Sequence, residues 1–236
     1  MANYRVTFTK QHTLLVVIHA NSEEQTLRNA DIAFNEGADG IFLVNHRISA
    51  STLMEFYKTI RIRHIFDWIG LNFLDCPRLR AIELTGKLIG VSGLWLDNAG
   101  YSEWSTDPTE KVRDIRFWQN EYDVKDTLIF GGVAFKYQEE VEHPARAAAA
   151  TAPLIDVVTT SGKGTGYAAD VEKIKSMKNA IGTQPLAIAS GITPENVREY
   201  MPYADCFLVS TGISFTDASD DLDPLRVRKL VEVINS

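Results

Sequence analysis

The chain has 236 residues, 45% of them hydrophobic, which is enough for one full core and near the length of a single α/β barrel, so length gives no reason to divide it. A formal charge of −7 argues against a general nucleic-acid surface, because binding phosphate backbones needs clustered Lys and Arg in excess. No apolar run approaches the roughly 20 residues of a membrane span, and two cysteines, Cys76 and Cys206, are too few for a disulfide scaffold or a paired metal knuckle.

In chain order, MANYRVTFTKQ lacks the apolar stretch of an export signal, so a reduced, cytoplasmic setting is expected. TLLVVIHA (13–20) is continuously apolar, as expected of a parallel strand covered on both faces. Ser22 caps a helix running to about Gly37. The pattern then repeats, with strands at 38–46, 65–74, 89–98, 127–136, 154–161, 185–190 and 206–210. The helices between and after them are expected at 51–64, 77–88, 110–121, 144–152, 170–181, 194–201 and 224–234. Eight evenly spaced strand and helix pairs without a linker predict one domain over 1–236, a closed (β/α)8 TIM barrel. The first ten residues are read as a lid over its bottom. An open doubly wound sheet is the alternative, but no GxGxxG follows the first strand.

Three Gly-rich turns, TTSGKGTG (159–166), SGITPENV (190–197) and STGIS (210–214), follow the last three strands. Gly admits close backbone approach, and free N–H groups at a helix start favour an anion, so a phosphate is expected after strands 7 and 8. The residues expected to hold it are Ser161, Gly162, Lys163, Ser190, Gly191, Ile192, Ser210, Thr211 and Gly212.

Barrel chemistry sits at the C-terminal strand ends, which selects His19, Asn45, Asn72, Asp97 and Lys136. His19 ends an apolar strand and suits a general acid or base, or else a histidine bonded to a nearby carbonyl. Asp97 is a base or a loop-capping acceptor. Lys136 would neutralise an anion, form a Schiff base if its pKa were depressed, or extend into solvent. His19, Asp97 and Lys136 are therefore the catalytic candidates, with Asn45 and Asn72 as substrate ligands. His46, followed by Arg47, reads as a solvated histidine, and Asp156 and Asp205 at strand starts read as structural. The charges of the last helix, Arg226, Arg228 and Lys229, read as a solvated face. No pair of histidines has metal spacing, and neither metal nor cofactor is expected.

SGKGTG with a helix from Asp170, SGITPENV, a strand ending VSTG and the Asp223-Pro224-x-Arg226-Val227 helix start resemble the C-terminal half of the BtpA-like TIM barrels. That family is named for photosystem I biogenesis and includes SgcQ-type proteins. EGADGIFLVNH, GLNFL, GLWLDN and VAFK fall, in order, where the family has strand ends. The chain departs from the family's usual residues after strands 2 and 3, where Val44-Asn45 and Asp75-Cys76 stand, and beside Lys136, where Tyr137 follows. SGITPENV also resembles the strand 7 turn of phosphoribosylanthranilate isomerase-type barrels, but His19 and Thr160-Ser161 do not match that isomerase. The resemblance implies an enzyme acting on a small phosphorylated, sugar-derived or phosphoribosyl substrate by isomerase, lyase or glycosyl-transfer chemistry. The alternative is a non-catalytic assembly or regulatory protein that keeps a phosphate pocket. A phosphorylated small molecule is the expected partner, without nucleic acid or a membrane span, and homo-oligomerisation is left open.

Overall fold

A computed structural model describes residues 3–216 and 218–236. Because the strands are apolar on both faces, they sort into two packing systems rather than one. Leu15 and Val17 of β1 (Thr13–His19) point into a central core with Phe42, Val44, Leu128, Phe130, Val157, Ala187 and Leu208, whereas Leu14, Val16 and Ile18 pack outward beneath the helices. The other strands are β2 (Gly40–Val44), β3 (Ile69–Asn72), β4 (Gly93–Leu96), β5 (Leu128–Gly132), β6 (Val157–Ser161), β7 (Leu186–Ala189) and β8 (Cys206–Val209). Each pairs in parallel with the next, and β8 closes on β1 with Val16 opposite Val209, so the chain is a closed eight-stranded α/β barrel.

The helices are α1 (Tyr4–Thr7), α2 (Glu23–Asn35), α3 (Ala50–Arg63), α4 (Arg78–Thr85), α5 (Glu110–Glu121), α6 (Pro144–Thr151), α7 (Val171–Ile181), α8 (Val197–Tyr200) and α9 (Pro224–Ile234). Their ends follow local chemistry. Ser22 accepts from the Gln25 N–H at 3.2 Å to start α2, and Asp223 with Pro224 at the first position starts α9. On α9 the stripe Val227, Leu230 and Ile234 is buried. The charges on its other side are paired rather than simply solvated: Arg228 with Glu36 at 2.7 Å and Lys229 with Glu195 at 2.7 Å. Surface pairs of this kind contribute little, screened as they are by solvent, so the apolar stripe decides the docking.

The barrel bottom is closed by α1. Tyr4 and Phe8 are buried, and the Tyr4 hydroxyl lies within hydrogen-bond distance of Thr13 Oγ1 at 2.8 Å and of the Asp205 carbonyl oxygen at 3.0 Å. Above them Phe42 stands edge-on to Phe130 and to Trp68, each with centroids 5.1 Å apart. Strand positions beside these rings are glycine for lack of room: a Cβ on Gly70 would lie 2.3 Å from the Phe42 ring and one on Gly93 2.5 Å from Trp68. Asp156 and Asp205 are structural as expected. Asp156 pairs with Arg116 at 2.8 Å, and Asp205 with Lys178 at 2.8 Å and with Arg5.

Four elements differ from the sequence reading in ways that matter here. β3 and β4 are shorter than 65–74 and 89–98, because Ile65, Phe66 and Ile89 are apolar yet exposed in loops at the bottom. β5 stops at Gly132, which leaves Lys136 in the following loop instead of at the strand end. The helix expected over 194–201 is regular only at Val197–Tyr200.

Candidate active site

The alternation that fills the barrel also decides which polar side chains reach its mouth. His19 continues the inward series of Leu15 and Val17, Asn72 that of Gly70, Asp97 that of Gly93 and Trp95, and Ser161 that of Val157. The Asn72 amide donates to Asp97 Oδ1 at 2.9 Å. Lys136 arrives from the β5–α6 loop, its N–H donating to Ser161 Oγ at 2.8 Å and its ammonium to Ser190 Oγ at 2.6 Å and Thr165 Oγ1 at 3.1 Å. Among the described residues, four non-glycine residues have a positive φ, and three of them, Ala134, Tyr137 and Ser190, bracket this contact. Such conformations cost on the order of 1–3 kcal/mol each and concentrate at functional sites.

Burial sets the electrostatics. It raises the Asp97 carboxyl above the ordinary range, opposed by the Asn72 hydrogen bond and by the charges of Lys136 and His46. It lowers the Lys136 ammonium, partly offset by Asp97. It also lowers His19, helped by His46, whose ring centroid lies 4.5 Å away, and opposed by Asp220. His19 is therefore a neutral base at pH 7. His46 is exposed as expected, but it belongs to this cluster.

Asp220 escaped the sequence reading because its role depends on chain segments about 200 residues apart. Its carboxylate lies 3.3 Å from His19 Nδ1, accepts from Asn21 Nδ2 at 2.7 Å and pairs with Arg47 at 3.3 Å. Its main-chain oxygen accepts from Gln25 Nε2 at 3.0 Å and Asn29 Nδ2 at 2.7 Å, which ties the β8–α9 loop to α2. Replacing Asp220 with Asn removes the interactions that raise the His19 pKa, so the imidazole should titrate still lower. A proton NMR titration of the imidazole signals, assigned through His19→Gln, checks this, and an unchanged His19 midpoint would remove Asp220 from the account.

The β7 and β8 loops meet at a small cavity of about 40 Å³ lined by His19, Trp95, Lys136, Ser190–Ile192 and Ser210–Gly212. The N–H groups of Gly191, Ile192, Thr211 and Gly212 have no acceptor among the described residues. Asn196 Nδ2 binds the Gly191 carbonyl at 2.7 Å, so the Ile192 N–H of the same trans peptide points the opposite way. Arg226 reads differently from a solvated charge: its Nε donates to the Gly212 carbonyl at 2.9 Å and braces the β8 turn. The glycines also allow loop to rest on loop. A Cβ on Gly191 would lie 2.3 Å from the Ala168 nitrogen, and one on Gly212 2.0 Å from the Ile192 oxygen.

Other candidates lie apart from this cavity. Ser161, Gly162 and Lys163 line an adjoining cleft of about 520 Å³ with Tyr137, Tyr167 and Lys173, whose burial holds its amine at about 8. Asn45 is buried and its amide braces two loops, donating to Asp75 at 2.5 Å and the Ile48 carbonyl at 3.3 Å and accepting from the Leu74 N–H at 2.8 Å. Trp95 was missed, although its inward parity with Asp97 in WLDN was readable. Its Nε1 is buried and has no hydrogen-bond partner among the described residues. Among the described residues no three metal-ligating acidic, His or Cys side chains converge, and no helix is long and apolar enough to cross a membrane.

Comparison with known proteins supports the resemblance read from the glycine turns: residues 126–236 match the model of the BtpA family. Lys136 and the β7 and β8 loops fall inside that segment, whereas His19, Asn72 and Asp97 fall outside it. An uncharacterized protein of Methanocaldococcus jannaschii is 36% identical over 83 residues, which is 35% of this chain and 31% of its own length. One of Thermococcus kodakarensis is 38% identical over 111 residues, 47% of this chain and 39% of its own length. The matched segments thus span about a third of these curated relatives. Among solved structures, phosphoribosyl anthranilate isomerase from Thermus thermophilus aligns with a TM-score of 0.65 at 18% identity, covering 94% of this chain and 98% of the isomerase. Tryptophan synthase from M. tuberculosis aligns with a TM-score of 0.65 at 12% identity, covering 100% of both chains. At these identities the likeness is one of fold, the TIM barrel.

Proposed function

We infer that this chain, which carries the BtpA pattern across its C-terminal half, binds a small phosphorylated molecule at the β7 and β8 loops and acts on it as an enzyme. The observation that carries the reading is a convergence on one cavity. Four backbone N–H groups without acceptors among the described residues, the Lys136 ammonium and the Ser190 and Ser210 hydroxyls surround it, and His19 and Trp95 line it as well. Unpaired N–H donors and a desolvated cation are matched by an oxyanion, and phosphate presents three such oxygens. The isomerase that shares the fold has a phosphoribosyl substrate in its name, which agrees with this class of ligand.

Holding the phosphate at one edge places the rest of the ligand over the barrel centre, where neutral His19, Asp97 and Lys136 stand. Their environments are pushed in different directions, with the carboxyl raised and both bases lowered, as acid–base chemistry near neutral pH requires. His19 suits proton abstraction, and Lys136 suits stabilisation of developing negative charge. The reaction classes that fit are isomerisation, a lyase step or glycosyl transfer on a phosphorylated sugar.

A thermal-shift series with inorganic phosphate, ribose 5-phosphate and phosphoribosyl pyrophosphate tests the binding step. A ligand at 100 times its Kd should raise the melting temperature by about 5 °C. No shift with any of them removes the phosphate reading. Gly191 is a poor control position because the Ala168 contact would disturb the loops themselves. Lys136 is the better one.

A further inference from the structure

The phosphate cavity has a neighbour on the other side of Trp95. This second cavity, about 220 Å³, is lined by Asn72, Cys76, Arg78, Trp95, Asp97 and Asn98 at the ends of β3 and β4. It holds a cation that no described residue neutralises directly. Arg78, the first residue of α4, is half-buried, and its guanidinium makes no hydrogen bond or ion pair with any described residue. Burial lowers the Arg78 pKa, opposed by the charge of Asp114, which forms no ion pair with it. Gly100 makes room for the guanidinium: a Cβ at that position would lie 3.0 Å from Arg78 Cζ.

Other long cationic side chains at the barrel mouth are engaged, Lys136 with Ser190, Lys173 with the Ala134 and Ser161 carbonyls and Arg47 with Asp220. A partly desolvated guanidinium facing an open cavity is a costly arrangement unless an anion completes it. The cavity is next to the reacting groups and not remote from them, since Asp97 lines it and Asn72, also in its lining, donates to Asp97.

Building on the phosphate reading above, we propose that the ligand carries a carboxylate at the end remote from its phosphate, bound in this cavity with Arg78 as its counter-ion. A carboxylate fits the guanidinium fork, which presents parallel N–H donors to two oxygens. A second phosphate is less suited, because Asp97 lines the same space and repels a dianion more than a monoanion. The substrate class is then a phosphorylated sugar acid or an equivalent phosphate–carboxylate compound, lying across Trp95 with its central carbons between Asp97 and His19.

Isothermal titration with three probes tests this: glucose 6-phosphate, 6-phosphogluconate, which adds the carboxylate, and fructose 1,6-bisphosphate. The intact chain should bind 6-phosphogluconate at least about tenfold tighter than glucose 6-phosphate. Arg78→Met should erase that advantage and leave glucose 6-phosphate affinity within about twofold, while Arg78→Lys keeps part of it. If glucose 6-phosphate binds and the acid has no advantage, or Arg78→Met weakens both probes equally, the phosphate end stands and the Arg78 subsite falls. If the bisphosphate binds tightest, the assignment of a carboxylate is overturned. If no probe binds the intact chain, the phosphate reading fails and takes this subsite with it. Should Arg78→Met not fold, the comparison of probes on the intact chain still decides.

Discussion

Lys136→Met is expected to raise the dissociation constant for ribose 5-phosphate at least about tenfold, the scale of losing one charge-assisted contact to phosphate, while leaving the melting temperature unchanged or higher. The asymmetry follows from burial. In the free protein the ammonium is held by two hydroxyls, at 2.6 and 3.1 Å, and its pKa is lowered because desolvation outweighs the attraction of Asp97. A group in that condition does not favour the folded state at pH 7, and a bound phosphate would supply the charge it lacks. The pH dependence has a definite sign. With the folded pKa depressed, the unfolded chain holds the proton over the window between that value and 10.5, so stability rises with pH there. A bound anion moves the pKa back up, so phosphate affinity falls as pH rises through the depressed value. Titration calorimetry at several pH values, with scanning calorimetry of the variant, reads both effects. Unchanged affinity in Lys136→Met would place the anion elsewhere.

Gly132→Ala should be the most destructive single methyl in the barrel. A Cβ at Gly132 would lie 1.7 Å from the Asp97 carbonyl oxygen and 2.5 Å from its carbon, both main-chain atoms with no rotamer to escape into. The Ala99 N–H donates to the Gly132 carbonyl at 2.9 Å, fastening the β4 loop onto the same spot. The expected loss is about 4 kcal/mol or more, or no folded protein at all. Gly131→Ala is the internal control, because its nearest obstacle at 2.8 Å is Ile155 Cδ1, the end of a movable side chain. It should cost about 1–3 kcal/mol, the range for an overpacked core. Urea unfolding of the pair measures the difference. Equal losses would mean that the β4 loop gives way easily and that Asp97 is not rigidly seated.

Much of the architecture was readable because a strand buried on both faces must be apolar at every position, which gave TLLVVIH, GIFLV and CFLV directly. The errors have the same origin. Ile65, Phe66 and Ile89 are apolar without being buried, so they lengthened β3 and β4 on paper. At the site, parity along a strand delivered His19, Asn72 and Asp97 to the mouth. Parity could not place Lys136, because the chain leaves the strand at Gly132 and turns through a positive φ at Ala134. Lys163 looked like part of the phosphate turn but lines the neighbouring cleft, since its loop is folded back over Gly191. Asp220 and Arg78 had no local signal: an Asp in an acidic run and an Arg after a proline gain meaning only when distant strands bring His19, or an open cavity, beside them.

The grip of α2 on the β8–α9 loop separates two properties that are usually coupled. Gln25 and Asn29 hold the main-chain oxygen of residue 220, whereas His19 meets its side chain. The main-chain tether is therefore the same whichever side chain stands there, and only the carboxylate's own contacts with His19, Asn21 and Arg47 depend on Asp220. An isosteric exchange at position 220 that keeps an oxygen for Asn21 can retune the imidazole with the loop still held by α2, so the charge beside the base is adjustable on a frame that α2 maintains.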